Sequence, residues 1–179
     1  MPSSKALENN NHPPRKIIPY LIAATIIVLT VYYLPNYFFL EKATADHAAS
    51  LLNSLGMQVQ AQIVGGIVFL ADIRIVKDCT GVQVIAVFLG LLIPLPNAPL
   101  KNKLITLAIV SAILYAANVL RIALEFWLVY LSILPWSLAH YPLSLLLGII
   151  GVFVLVLITD RLLPEFGDFL IHAVRERAA

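Results

Sequence analysis

The chain has 179 residues, of which 60% are hydrophobic and 12% are charged, and its formal net charge is +2. Soluble domains carry about twice that charged fraction, roughly 25%, so the composition indicates an integral membrane protein. A single cysteine excludes an intrachain disulfide framework and a zinc site built on paired cysteines. The sequence has no phosphate-binding glycine loop and no basic–aromatic run, so we predict no metal, no cofactor and no nucleic-acid partner.

Residues 1–16 are predicted to form a disordered cytoplasmic leader, and residues 17–40 to form the first membrane span. The leader is rich in Ser, Asn and Pro, whereas the apolar run after it is long enough for a span, which needs about 20 residues. The alternative is a cleaved signal peptide, because Ala43-Thr44-Ala45 has the A-x-A form of a cleavage site. The length of the apolar run and the tyrosines at its end favour the span.

Residues 41–78 form the one substantial polar insert of the chain. Its first part, residues 43–55, is predicted to be a short amphipathic helix. Residues 57–63 then alternate between apolar and polar, as in a half-exposed strand, and Gly65-Gly66 is a favoured hairpin dipeptide. Residues 67–76 are predicted to be the returning strand, so the insert combines a helix with a β-hairpin that leads into the second span.

Three further spans are predicted, over residues 81–95, 104–131 and 141–159, followed by a tail over residues 162–179. The second span reaches only about 22 Å at 1.5 Å per residue, whereas the hydrocarbon core is roughly 30 Å thick. The segment before this span is therefore expected to lie recessed in the membrane interface. Apolar residues in the tail repeat at helical spacing, which predicts an amphipathic helix on the membrane surface.

Together these elements predict an all-α polytopic membrane protein, with a four-span helical bundle over residues 17–161, a small extracytoplasmic helix plus β-hairpin insert, and a C-terminal amphipathic helix. The orientation follows from the basic residues. The side that holds the leader, the loop between the second and third spans and the tail has eight Lys and Arg residues, and the other side has three. Because positively charged loops stay in the cytoplasm, both termini are expected to be cytoplasmic in a multi-pass protein of the cell membrane, with the insert outside.

The only cysteine, Cys79, lies in the segment Asp78-Cys79-Thr80-Gly81-Val82-Gln83, at the start of the second span and thus at the outer face. Thr80 and Gln83 have the spacing of a capping box, in which each side chain binds a free backbone N–H group at the helix start. The N-terminus of a helix favours negative charge, so a cysteine beside it is expected to form a reactive thiolate.

Arg121 and His140 are predicted to lie in the same outer layer as Cys79. At 1.5 Å per residue, Arg121 lies about 26 Å from the cytoplasmic end of the third span. An arginine within a span costs several kcal/mol unless it is paired or faces a polar cavity. Asn118 and Glu125 share its helical face, so an interfacial Arg121–Glu125 pair is the alternative to a functional role. His140 immediately precedes the fourth span, which places it at the outer face too.

These three residue types suit nucleophilic catalysis, which needs a thiolate, a base that can return a proton, and a donor for the developing oxyanion. Histidine side chains titrate near neutral pH and suit the second task. The guanidinium of arginine stays charged and suits the third. The sequence therefore predicts Cys79 as nucleophile, His140 as general base and acid, and Arg121 as the oxyanion donor.

The segments Asp78-Cys79-Thr80-Gly81-Val82-Gln83 and Asn118-Val119-Leu120-Arg121-Ile122, with the isolated His140, resemble in order and spacing the three motifs of the exosortase/archaeosortase family. The resemblance covers roughly residues 75–150 and implies a membrane-embedded cysteine protease and transpeptidase. Such enzymes act on secreted or surface proteins that carry a C-terminal motif, a transmembrane helix and a basic tail. They cut near the motif and transfer the new carboxyl terminus to an acceptor, such as a lipid.

By this resemblance, catalytic roles are implied for Cys79, Arg121 and His140, and supporting roles for Asn118, Thr80, Gly81 and Gln83. Many members of the family have more spans than the four predicted here, which leaves the segment that reads the sorting motif unassigned and leaves room for a partner subunit. Two other classes of protein fit the same residues. One is another thiol-dependent membrane acyltransferase, and the other is a non-catalytic assembly or transport subunit in which Arg121 simply pairs with Glu125.

Overall fold

The computed structural model describes residues 17–33, 36–169 and 171, which are mostly helical. The helices are α1 (Ile17–Tyr33), α2 (Phe38–Ser54), α3 (Val82–Leu92), α4 (Leu100–Tyr130), α5 (Trp136–Leu138) and α6 (Ser144–Leu162). The strands are β1 (Ala61–Val64), β2 (Ile67–Leu70) and β3 (Ile73–Ile75). A 3₁₀ turn covers Lys77–Thr80, and a π-helical turn covers Ala139–Leu143. Residues 164–169 and 171 are also helical, whereas the predicted leader and residues 170 and 172–179 of the predicted tail lie outside the described residues.

Among the described residues, two helical segments are long and apolar enough to cross a membrane: α4 and the segment Trp136–Leu162, which contains α5 and α6. The helices α1 and α2 pass the same test only as a bent pair, which would make a third span. The chain is thus a mostly helical membrane protein with two or three span candidates. The predicted count of four spans is not confirmed, because α3 has 11 residues and reaches only about 16 Å.

The predicted first span over residues 17–40 is divided between two helices, since α1 ends at Tyr33 and α2 begins at Phe38. Asn36 between them has a φ of 68°, in the left-handed region that asparagine tolerates better than most residues. Its side-chain oxygen accepts a hydrogen bond from the backbone N–H of Phe38 at 3.0 Å. The insert helix therefore begins earlier than the residue 43 that the sequence pattern indicates.

The insert contains a three-stranded antiparallel sheet in the order β1-β2-β3 rather than a two-stranded hairpin. The predicted turn at Gly65-Gly66 is present, and both glycines have positive φ. The predicted returning strand over residues 67–76 is interrupted at Ala71, whose φ is 50°, so its second half folds back as β3. The predicted first strand is shortened, because the side chain of Asn53 takes the place of a neighbouring strand and binds both backbone polar groups of Val59.

Two clusters of buried side chains organise the helices. The first joins α2 and the sheet to the C-terminal half of α4, and its buried members include Leu52, Val68, Leu70, Ile75 and Ile122. The second joins α1, α3, the N-terminal half of α4 and α6, and its buried members include Tyr20, Phe88, Leu92, Val110 and Leu155. Cys79 packs against the first cluster at the point where the chain leaves the sheet and enters α3.

Lys103, on the first turn of α4, closes the end of α3. Its side chain is 8% exposed, and Nζ donates hydrogen bonds to the carbonyls of Ile93 and Leu95 at 2.9 and 2.5 Å. The last carbonyls of a helix have no partner within the helix, and a cation there also interacts favourably with the helix dipole. Lys103 is one of the residues that predict the orientation of the chain, and its side chain also holds the end of the short helix α3 against α4.

Gly90 lets α1 and α3 approach closely. A Cβ atom at this position would lie 2.5 Å from Cγ2 of Val28 and 2.7 Å from the backbone oxygen of Ala24. We expect Gly90→Ala to lower the free energy of unfolding by about 1–3 kcal/mol, since the extra methyl group must push the two helices apart. Thermal unfolding in detergent measures this loss. The matched control is Gly148→Ala on α6, where the added Cβ meets nothing within 4 Å, and equal melting of both variants would contradict the prediction.

Candidate active site

The backbone around Cys79 is fixed by its own turn. The backbone N–H of Cys79 donates to the carbonyl of Val76 at 2.8 Å, and the hydroxyl of Thr80 donates to the carbonyl of Lys77 at 2.6 Å. Thr80 is fully buried, whereas Cys79 is half-buried. The threonine of the Cys79-Thr80-Gly81 segment thus locks the 3₁₀ turn that carries the cysteine.

The predicted capping box of Thr80 and Gln83 does not form. Gly81, with a φ of 77°, is the N-cap residue of α3, and the Thr80 hydroxyl lies 3.4 Å from the N–H of Val82. The side chain of Gln83 instead donates to Oδ1 of Asp78 at 2.6 Å. The physical reason is the left-handed conformation of Gly81, which lies between the 3₁₀ turn and α3. Gly81 therefore takes the cap position, and Thr80 lies one residue too early to form a capping box with Gln83.

Asn118 connects the cysteine turn to α4. It is 8% exposed, and its Nδ2 donates to the backbone carbonyl of Cys79 at 2.5 Å. Its Oδ1 accepts hydrogen bonds from Nε and Nη2 of Arg121 at 3.3 and 3.1 Å. Gly81 lies against the Asn118 side chain, and its φ of 77° is a backbone conformation that side-chain-bearing residues rarely adopt. The buried amide of Asn118 therefore joins its own motif on α4 to the cysteine motif, which lies 39 residues earlier in the sequence.

Arg121 uses most of its donors within the protein. Besides its two bonds to Asn118, Nη1 donates to Oε1 of Glu125 at 2.9 Å and to the hydroxyl of Ser144 on α6. An arginine side chain has five N–H donors. Four are thus engaged, and one N–H of Nη2 is left without a partner among the described residues. The guanidinium is only partly exposed, so this remaining donor is held in a fixed direction.

His140 is held beside this network. Its Nδ1 lies 3.4 Å from Oε2 of Glu125, whose side chain is 5% exposed. The ring of Trp136 stacks on the imidazole at a centroid distance of 4.8 Å and an interplanar angle of 10°. The ring of Tyr141 approaches the imidazole edge-on, with the centroids 5.1 Å apart.

The π-helical turn around His140 differs from the predicted start of a span at residue 141. The helical segment begins at Trp136, and Pro142 lies inside it. Proline lacks the N–H group that a regular helix needs, and the wider π turn accommodates the missing bond. The widening occurs at His140 itself, where the imidazole meets α4.

The structure thus brings the predicted residues Cys79, Asn118, Arg121 and His140 together in one chain of contacts, in which Glu125 joins Arg121 to His140. The path reaches Cys79 through the backbone carbonyl, and among the described residues no hydrogen bond involves its Sγ atom. The pairing of His140 with Glu125 and that of Arg121 with Ser144 were not predicted. The spacing of four residues between Arg121 and Glu125 indicates the ion pair, but nothing in the sequence indicates a second partner for Glu125.

No group of three His, Cys, Asp or Glu side chains that could hold a metal ion is found in the part of the chain that the structure describes. The family model of the transmembrane exosortases matches residues 15–158, which is most of the chain. The chain belongs to the transmembrane exosortase family. Neither the curated proteins nor the solved structures include a significant match. Membership of the exosortase family indicates a membrane transpeptidase. The matched range contains all of the residues described above as the candidate site.

Proposed function

We propose that this exosortase cleaves the C-terminal sorting signal of secreted or surface proteins through a thioester on Cys79, and that it transfers the new carboxyl terminus to a lipid or another acceptor. The observation that carries the proposal is the path of hydrogen bonds from the Cys79 carbonyl through Asn118, Arg121 and Glu125 to His140. Three segments far apart in the sequence converge on it. Each contributes the residue type that a thiol acyl transfer needs.

In the first half of the reaction, His140 takes the proton of the Cys79 thiol, and the thiolate attacks the scissile carbonyl carbon. A sulfur–carbon bond forms, and the negative charge that develops on the carbonyl oxygen is stabilised by the remaining Nη2 N–H of Arg121. The carbon–nitrogen bond then breaks, and His140 gives the proton to the leaving amine. The products are a thioester on Cys79 and the released C-terminal helix with its basic tail.

In the second half, an acceptor nucleophile resolves the thioester. A hydroxyl or amine group attacks the thioester carbonyl and loses its proton to His140, and the thiolate of Cys79 leaves. Water in place of the acceptor gives proteolysis, and a lipid or amine gives transpeptidation. Asn118 supports both halves, because its amide fixes the turn of the nucleophile and the guanidinium at the same time.

We further propose that both termini are cytoplasmic and that the site lies at the outer face of a four-span bundle. The distribution of Lys and Arg along the sequence supports this orientation. The short helix α3 supports a recessed position for Cys79, at the depth where the membrane helix of a substrate begins. The polar insert with its sheet would then stand over the site on the outer side.

The second candidate function is that of a non-catalytic membrane subunit. The ion pair between Arg121 and Glu125, with their charged atoms 2.9 Å apart, is the observation that favours it, because that pairing alone would account for an arginine within a span. The contact of Glu125 with His140 and the anchoring of the Cys79 turn by Asn118 are not required by this alternative.

The covalent intermediate provides the test. The wild-type protein is co-expressed with secreted proteins that carry a C-terminal helix and basic tail, and it is then isolated under conditions that preserve thioesters. We expect a hydroxylamine-sensitive adduct on the peptide that contains Cys79, and mass spectrometry should show that the adduct is a protein segment ending at the cleavage point. An adduct with a fatty acyl group would indicate the acyltransferase class, and cleavage without any adduct on Cys79 would contradict the proposed mechanism.

A further inference from the structure

Glu125 is the most buried charged group of the site. It is 3% exposed, and its two oxygens bind different partners: Oε1 accepts a hydrogen bond from Arg121, and Oε2 faces Nδ1 of His140. A buried carboxylate is costly unless it is paired and hydrogen-bonded. The pairing with Arg121 alone would compensate the charge of Glu125. The contact of Oε2 with the imidazole is therefore not needed for charge compensation and calls for another explanation.

The two oxygens of Glu125 are fixed by the helix that carries it. Arg121 lies one turn before Glu125 on α4, and the guanidinium is itself held by Asn118 and by Ser144. The carboxylate plane is therefore set from the side that faces away from His140. The imidazole is fixed independently, since it stacks on Trp136.

We propose that Glu125 is the positioning residue of His140, and that it fixes the imidazole in the tautomer that carries its proton on Nδ1. This inference rests on the proposed function. With the Nδ1 proton directed at Oε2, the other ring nitrogen, Nε2, is unprotonated and free to take the proton of the Cys79 thiol. When His140 is charged during the reaction, the carboxylate also stabilises the imidazolium.

Among the described residues, few charged groups lie near His140. From α4 they are Glu125 and, bound to it, Arg121, whereas the segment of His140 itself contributes the aromatic rings of Trp136 and Tyr141. Arg121 and Glu125 compensate each other in charge, and the Glu125 carboxylate also faces the proton that His140 takes from Cys79. Without this carboxylate, an imidazolium formed during the reaction would lie beside the uncompensated charge of Arg121.

Replacing Glu125 by glutamine keeps the shape of the side chain but leaves only one oxygen. That oxygen is expected to remain on Arg121, so the amide NH₂ group faces Nδ1 of His140. An NH₂ group cannot accept a proton from Nδ1, and the neutral imidazole then carries its proton on Nε2, where it cannot act as the base. We expect Glu125→Gln to lower the processing rate by about 10²–10⁴-fold, in line with the usual contribution of general acid–base catalysis.

The direct test is ¹⁵N NMR of histidine-labelled protein in detergent at alkaline pH. The chain has four histidines, and the signals of His140 are identified by their loss in His140→Gln. We expect the Nδ1–H tautomer in the wild-type protein and the Nε2–H tautomer in Glu125→Gln. The wild-type measurement needs no variant of Glu125 to fold, and an Nε2–H tautomer there would overturn the inference.

The matched control is Asp46→Asn, which removes the acidic partner of another ion pair with a spacing of four residues, between Lys42 and Asp46 on α2. This pair is exposed, so its loss is expected to change neither processing nor the tautomer of His140. Wild-type processing in Glu125→Gln, while Cys79→Ala abolishes processing, would refute the role of Glu125 and leave the proposed function intact. Processing that persists in Cys79→Ala would refute the proposed function itself.

Discussion

Replacing Cys79 by alanine is expected to abolish removal of the C-terminal tail from a co-expressed substrate, with a loss of roughly 10³-fold or more in the processing rate. The substitution removes only the Sγ atom. The turn is held by the backbone bond to Val76 and by the buried Thr80, neither of which uses the cysteine side chain. Processing is measured as the loss of the tail epitope from the substrate over time, and expression and thermal melting report that the variant is folded.

The variant Cys79→Ser separates chemistry from packing. A hydroxyl is close in size to a thiol and leaves the contacts with the first buried cluster in place, but an imidazole does not activate it as easily, because it loses its proton far less readily. We expect this variant to remain folded and inactive, and to yield no hydroxylamine-sensitive adduct. If Cys79→Ala and Cys79→Ser both process substrate at the wild-type rate, the thiol has no catalytic role and the non-catalytic alternative stands.

The convergence of Cys79, Arg121 and His140 could be predicted because it depends on coarse features. Span lengths predict the depth of a residue, and the excess of Lys and Arg on one side predicts the orientation. Those features place a residue in a layer, and the structure brings all three into one network. The spacing of three residues also predicts that Asn118 and Arg121 share a helical face, and two hydrogen bonds join their side chains.

The partners within that layer could not be predicted from the sequence. A carboxylate has two oxygens, and the spacing along α4 accounts for only the one that binds Arg121. The second partner, His140, comes from another segment and lies in a π turn where it meets Glu125. Which helical segment contains a π turn depends on packing against its neighbours, so the Trp136 start of this segment was missed.

The errors in the first span, in the insert and at α3 have a common physical origin, which is single residues with positive φ. Ala71 and Asn36 divide a predicted strand and a predicted span, and Gly81 replaces Thr80 as the cap of α3. A positive φ is an unusual state for a residue such as alanine, so the residue type carries little information about it. The state is selected by tertiary contacts. The Gly65-Gly66 turn was predictable because two adjacent glycines adopt it at little cost.

The functional and the structural interpretations of Arg121 predict different outcomes for a conservative change. Arg121→Lys keeps the positive charge beside Glu125, so the ion pair can persist. An ammonium group is a point charge without the planar fork, and it cannot reach Asn118, Glu125 and Ser144 while also offering a donor to the substrate. We expect processing to fall by about 10²–10³-fold, the usual loss when one oxyanion donor is removed. The control, Arg161→Lys at the exposed end of α6, is expected to process normally.

A double replacement decides between the two interpretations. Arg121→Gln alone leaves the buried Glu125 without its partner and is expected to destabilise the protein by about 3–5 kcal/mol. Combining it with Glu125→Gln replaces the ion pair by two neutral amides of similar volume, which is expected to restore most of the melting temperature. Because neither the oxyanion donor nor the partner of His140 is restored, processing should stay absent. Recovery of function together with stability would show that the pair is purely structural. A stable but inactive double variant would show that the guanidinium and the carboxylate are needed for the chemistry itself.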